Sequence, residues 1–257
     1  MISLSFALLL TGWAARGGEI EDAPSYTTEE GRRAVWRDLA KWYIDNHMPE
    51  QALDMVKRVR ETGADDDELV LIQAKALLAQ GMTEESRNIL EGLHRRRPRD
   101  ASVLGTLGIV YSDLGLYEQA AEVLTTAAAV APDDPAIRNN LGFILLGLGR
   151  CQDAQEHLEA VLALDATNAR YRNNLAFALV CVGEHQRALK LFRSSLPEAE
   201  ARFNMGLAYE RLDSVPAAIL QYREVLVIAP DHAGAKEALA RLGPSELPPA
   251  SKSEGVP

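Results

Sequence analysis

ASVLGTLGIVYSDLGLYEQAAEVLTTAAAVAPDD, residues 101–134, runs directly into PAIRNNLGFILLGLGRCQDAQEHLEAVLALDATN, residues 135–168. Laid over each other at an offset of 34, Leu107-Gly108 falls on Leu141-Gly142 and Tyr111 on Leu145. Gly115 falls on Gly149, Ala120 on Ala154 and Leu124 on Leu158. A fixed period of this length marks a repeat architecture. Within one unit, positions 4, 7, 8 and 11 share one face of a helix, and positions 20, 24 and 27 share one face of a second. Small residues at 8 and 20 let the two helices approach, while Gly at 15 and Pro at 32 punctuate the turns. A single hairpin cannot bury its apolar stripe alone, so neighbours must stack.

The frame extends both ways. Residues 33–66 supply Trp36, Leu39, Ala40, Tyr43 and Ala52. Residues 67–100 supply Val70, Ala74, Leu77, Gly81, Leu90 and Pro98, with Ser86 in the usual alanine slot. Residues 169–198 supply Leu175, Ala176, Gly183, Ala188 and Phe192, and residues 199–232 supply Met205, Gly206, Tyr209, Ala218, Tyr222 and Pro230. A short helix, 233–242, follows and is stopped by Gly243 and Pro244. This pattern resembles the tetratricopeptide-repeat (TPR) family, whose unit is a 34-residue helix–turn–helix. The resemblance implies an all-α fold, an α-solenoid forming a right-handed superhelix of six hairpins plus a capping helix. The fifth unit has only 30 residues. The missing four amount to about one helical turn, which predicts a shortened second helix there. Pro197 fits the first turn of the helix that follows. The deletion either changes the local curvature or is neutral.

Composition agrees with a helical chain. Hydrophobic residues make up 47%, aromatics only 6%, and Val/Ile/Thr alternation is missing, so no sheet is expected. A net charge of −10 argues against a general binder of phosphate backbones. The run His94 to Arg99 is the one dense basic cluster. It suits a solvated helix end facing the dipole, with an anionic lipid or nucleic-acid contact as the other reading. Cys151 and Cys181 lack C-x-x-C spacing and have no histidine cluster beside them. The expectation is two small, buried or half-buried thiols, without a disulfide framework or a metal site.

Residues 1–18 resemble an export leader with an apolar run from Met1 to Leu10. Leu10-Thr11-Gly12 resembles a lipobox, but Trp13 stands where the lipidated cysteine belongs. Membrane association is therefore expected only through this leader. Residues 19–32 are expected to be a flexible lead-in and residues 243–257 a disordered Pro/Ser-rich tail.

In the TPR family, positions 2, 5, 6, 9, 12 and 13 of the first helix face a groove. By that resemblance the fourth unit offers Asn139, Asn140, Phe143 and Leu146. The fifth offers Arg170, Asn173, Asn174, Phe177 and Val180, and the sixth Glu200, Phe203, Asn204, Leu207 and Glu210. Asparagine side chains suit the donors and acceptors of an extended peptide, and aromatics supply contact area. Asn at position 6 is also common in TPR sequences whatever they bind. A second surface is expected at Arg37, Asp38, Lys41, Ile44, Leu71, Ile72, Lys75 and Leu78, facing a partner or the N-terminal extension.

No P-loop, G-x-S-x-G, H-E-x-x-H or G-x-G-x-x-G motif is present, and the five histidines are scattered. The expectation is a scaffold that binds another protein, with no enzyme activity and no cofactor. Repeats behind an export-like leader resemble the pilotin-like TPR lipoproteins of type IV pilus biogenesis (PilF, PilW and Tgl type) and the TadD-type Flp pilus proteins. That resemblance implies a Gram-negative envelope protein that assists secretin or pilus assembly at the outer membrane. Two alternatives stay open: a cytoplasmic TPR adaptor or co-chaperone that binds an extended peptide, and a regulator of an envelope or peptidoglycan enzyme.

Overall fold

In the computed structural model, residues 28–64 and 66–243 are described. The leader, most of the lead-in and the tail beyond Gly243 lie outside them. All regular structure among the described residues is helical. The helices are α1 (Glu29–Asp45), α2 (Pro49–Glu61), α3 (Asp67–Ala79), α4 (Thr83–Arg96), α5 (Ala101–Asp113) and α6 (Tyr117–Val130). They continue as α7 (Pro135–Gly147), α8 (Cys151–Leu164), α9 (Ala169–Cys181), α10 (His185–Arg193), α11 (Glu198–Arg211), α12 (Val215–Ile228) and α13 (Ala233–Leu242). The chain falls into two compact units, divided between Val130 and Ala131.

The local rules of the repeat recur at most junctions. Asp66, Asp100, Asp134, Asn168 and His232 occupy the last position of five of the six units and cap the helix that follows. Each side chain accepts a backbone N–H that the first helical turn leaves unpaired. Position 15 adopts positive φ in every unit: Gly81, Gly115, Gly149 and Gly183 in four of them, His47 (φ 58°) and Asp213 (φ 57°) in the other two. The left-handed corner is therefore kept where glycine is absent, at some conformational cost.

The hairpins close through one recurrent fit. A Cβ placed on Gly108 would lie 2.4 Å from Leu124 Cγ, and one on Gly142 would lie 2.6 Å from Leu158 Cγ. One on Gly206 would meet the Tyr222 ring at 2.4 Å. Position 8 is glycine in these three hairpins and alanine (Ala40, Ala74, Ala176) in the others, small throughout because the side chain at position 24 fills that space. In the first unit of the fold, Ala40, Val56, Val59, Leu69 and Ile72 form one buried cluster. Ala74, Leu90, Leu93, Val103, Leu107 and Val110 form another. In the second unit, Ala218, Tyr222, Val225, Ala235 and Ala238 seal α13 onto α12.

Ser86 takes the place of alanine at position 20. It is fully buried, and its hydroxyl donates to the Ala74 carbonyl at 2.8 Å. Ser86→Ala is expected to change stability by no more than about 1 kcal/mol, the net worth of such a bond. Ser86→Leu should cost about 1–3 kcal/mol or more by overpacking. Urea midpoints of the two variants check the contrast.

Three sequence expectations change. The first helix begins at Glu29, inside the stretch expected to be a flexible lead-in, because Thr28 caps it by accepting from Gly31 N–H. Pro197 is the N-cap of α11 rather than part of its first turn, with ψ of 157°. Cys151 and Cys181 are not free thiols: they are joined as a disulfide, with Cα atoms 5.7 Å apart. Cys151 opens α8 and Cys181 ends α9, and stacking of the two hairpins brings those ends within bonding reach. The shortened second helix of the fifth unit is α10, at nine residues where α8 and α12 have 14.

Candidate protein-binding groove

The groove expected from the sequence falls on α7, α9 and α11, all in the second unit. Asp134 and Asn168 fix the starts of α7 and α9. The apolar stripes of these helices then turn inward, with Leu141, Leu145, Leu175, Leu179 and Met205 buried. That orientation leaves positions 5, 6 and 9 on the opposite side of each helix.

The asparagines divide into two roles. Asn139 is buried, and its Oδ1 accepts from Asn174 Nδ2 at 2.8 Å. This pair ties α7 to α9. Asn140, Asn173 and Asn204 are half-buried. Asn173 Oδ1 is enclosed yet has no hydrogen-bond partner, an unmet acceptor on α9. Leu146 and Leu207 are half-buried.

The aromatics also divide. Phe143 is 42% exposed, an open apolar surface. Phe177 is half-buried, with its ring edge-to-face with Phe192 at 5.3 Å and the Arg211 guanidinium over the ring at 5.2 Å. Phe203 is committed elsewhere. Its ring stacks on His232 at 4.7 Å and on Tyr222 at 5.4 Å, and it abuts Gly234 of the capping helix. Glu200 and Glu210 are drawn to the same end. Glu200 meets His232 at 3.2 Å, and Glu210 accepts from Arg241 and from the Tyr222 hydroxyl at 3.0 Å. The hydrogen bond from Arg241, then that from Tyr222, holds the Glu210 carboxyl below its ordinary pKa. Burial, reinforced by Glu210, pushes the Tyr222 phenol up. Leu207 also packs against the cluster that joins α12 and α13, which leaves Asn204 half-buried without such a commitment.

The second expected surface is largely spent on internal contacts. Arg37 pairs with Asp66 at 2.5 Å, and Lys41 pairs with Glu68 at 2.5 Å. Ile72 is 5% exposed within the first core cluster, and Leu71 and Leu78 pack against the second. Lys75 and Ile44 remain half-buried. In the basic run, Arg96 pairs with Asp67 at 2.8 Å and Arg97 with Asp100 at 2.9 Å.

Sequence reasoning missed Arg211, although position 13 of the sixth unit lies within the groove frame. It also missed the bridge, although position 13 of one unit and position 17 of the unit before are where its two cysteines stand.

Two tetratricopeptide-repeat families match the chain, one over residues 77–142 and the other over residues 144–199 and 186–233. The chain is a tetratricopeptide-repeat protein, and its α-solenoid is of the kind that binds peptides and other proteins. Its fold is shared with YrrB, described as a TPR protein with an unusual peptide-binding site. That match has 20% identity and a TM-score of 0.57, covering 71% of this chain and 96% of that one. MamA from Desulfovibrio magneticus RS-1 is similar at 21% identity and a TM-score of 0.55, covering 66% of this chain and 96% of that one. MamA of AMB-1 is similar at 24% identity and a TM-score of 0.52, covering 64% of this chain and 96% of that one. No curated protein sequence matches the chain.

Proposed function

We propose that this protein is a non-catalytic scaffold of the Gram-negative cell envelope. It holds an extended segment of another protein while a pilus, secretin or other outer-membrane complex assembles. The observation that supports the binding role is a set of open and half-buried side chains on α7, α9 and α11. Phe143 is exposed, and Asn140, Asn173, Phe177 and Asn204 are half-buried on the same set of first helices, a mixture of apolar area and amide groups that suits a bound peptide backbone. The Cys151–Cys181 bridge supports the envelope side of the reading, because disulfides persist in oxidising compartments and are rare in the cytosol. The export-like leader supports it as well. The secretin or pilus partner rests on the family resemblance.

The test replaces Phe143 with a photo-crosslinking amino acid in the full-length protein expressed in a Gram-negative host carrying the protein's own envelope genes. Cells are fractionated, the mature N-terminus is mapped by mass spectrometry, and the crosslinked partner is identified. The expected result is cleavage after the leader, recovery with the envelope, and a crosslink to a secretin or pilus component. Crosslinking should fall severalfold when Asn140 and Asn173 are also changed to alanine. An intact N-terminus in the cytoplasmic fraction, with free thiols at residues 151 and 181, would reverse the location and leave a cytoplasmic peptide-binding adaptor.

A further inference from the structure

Leu107 stands at position 7 of its unit and is buried with Leu90 and Leu93, the residues at positions 24 and 27 of the unit before. These three side chains fill the seam between two hairpins. Position 7 is a buried leucine or methionine in the last three units as well, at Leu141, Leu175 and Met205. One seam departs from the rule. Between the first two hairpins the same three positions hold Gln73, Val56 and Val59. The two valines belong to the core cluster there, whereas Gln73 is half-buried outside it. Space that three leucines fill elsewhere is met by two shorter side chains and a polar one. Packed interiors leave few voids larger than a water, so an underfilled seam is an exception.

The gap is a cavity of about 400 Å³, lined by Leu53, Val56, Lys57, Arg60 and Glu61 of α2 and by Gln73 of α3. That volume lies at the lower end of the range of small-molecule sites. The lining divides by chemistry. Val56 is buried and Leu53 half-buried, which gives the cavity an apolar floor. The Gln73 amide offers donors and an acceptor, and its side chain has no hydrogen-bond partner among the described residues. Lys57 and Glu61 are exposed at the rim. They are one helical turn apart, about 5–6 Å at Cβ. Neither has an ion-pair partner among the described residues, although Asp54 and Arg58 of the same helix, also four apart, pair at 2.9 Å. Lysine N-terminal to glutamate is the weaker order for such a pair. A cation and an anion therefore stand apart over an apolar floor, each with its capacity unspent.

We propose that this cavity binds a free apolar α-amino acid, with its carboxylate on Lys57, its ammonium on Glu61 and its side chain on Leu53 and Val56 beside Gln73. The ligand class comes from the lining. A hydrocarbon would leave both rim charges and the Gln73 amide unmet, which costs free energy as the cavity closes over it. A simple anion would meet the Glu61 carboxylate. A zwitterion with an apolar body answers the two charges and the floor together, and charge-assisted hydrogen bonds are the strong ones. The site is independent of the peptide-binding reading, whose residues lie on α7, α9 and α11.

The experiment is a chemical-shift titration of the full-length oxidised protein with leucine, phenylalanine, glycine, and the N-acetyl amides of leucine and phenylalanine. Leucine or phenylalanine should bind with a dissociation constant of about 1 mM or below. Glycine and the capped twins should bind at least about tenfold more weakly, for want of the side chain or of the charges. Lys57→Gln and Glu61→Gln should each weaken the free amino acid about three- to tenfold and leave the melting temperature nearly unchanged. Gln73→Leu restores the residue that other units carry at this position. It should abolish binding and raise the melting temperature, which separates a filled cavity from a damaged fold. No binding of either amino acid overturns the proposal. Equal binding of the capped twins shows an apolar dent without charge selection and overturns it. Binding that survives Gln73→Leu places the site elsewhere and overturns it too. A lower melting temperature in Gln73→Leu would mean that the seam is not underfilled, which removes the premise.

Discussion

Phe192→Ala lowers the stability of the second unit by about 3–5 kcal/mol, the usual cost of emptying a buried phenylalanine site. The ring is fully buried at the position where its counterparts are Leu124, Leu158 and Tyr222. Its helix, α10, has only nine residues and only Ala188 and Phe192 buried, so that helix offers no second large side chain to fill the space. The loss should also reach the groove, because the Phe192 ring supports Phe177 from below. Urea unfolding followed by circular dichroism gives the first effect, and peptide affinity measured under native conditions gives the second. A change below about 1 kcal/mol would mean that α10 does not hold its hairpin closed through this ring.

Opening the Cys151–Cys181 bridge should cost roughly 3–4 kcal/mol, the chain entropy released by a closed loop of this length. The two cysteines are 30 residues apart, and the bridge ties the start of α8 to the end of α9. The paired Cys151→Ser, Cys181→Ser variant should melt several degrees below the oxidised protein. Adding a thiol-free reductant should lower the melting temperature of the natural protein to nearly that of the variant and leave the variant unmoved. Mass spectrometry after alkylation counts the thiols directly. If reduction leaves the melt of the natural protein unchanged, the two sulfurs are not bonded in solution.

The all-α solenoid was legible because its determinants are local and periodic. The 34-residue offset, the small residues at positions 8 and 20, and the aspartates between units each act within one hairpin or at one junction. The short α10 could be read from a count of residues. The features that escaped depend on contacts between hairpins. Asn139 and Asn174 look like two rungs of one ladder, yet they bond to each other, because position 5 of one unit meets position 6 of the next. Phe203 looks like a groove residue by its position, but His232 and Gly234 bring the capping helix against it. The cysteines follow the same logic, since nothing in a spacing of 30 announces proximity until the stacking is known. Thr28 was overlooked because the repeat frame begins at Arg33, and the cap obeys helix-end chemistry rather than the frame.

The helix α13 sets a limit on growth. A stack of hairpins whose last apolar face stayed open would accept the first hairpin of another copy, a head-to-tail contact that propagates into a fibre when it does not close on itself. Here Ala235 and Ala238 fill that face, while Lys236 is exposed beside Asp231 and Arg241 reaches back to Glu210 of α11. Duplicating a hairpin upstream of α13 would lengthen the array and keep its plug.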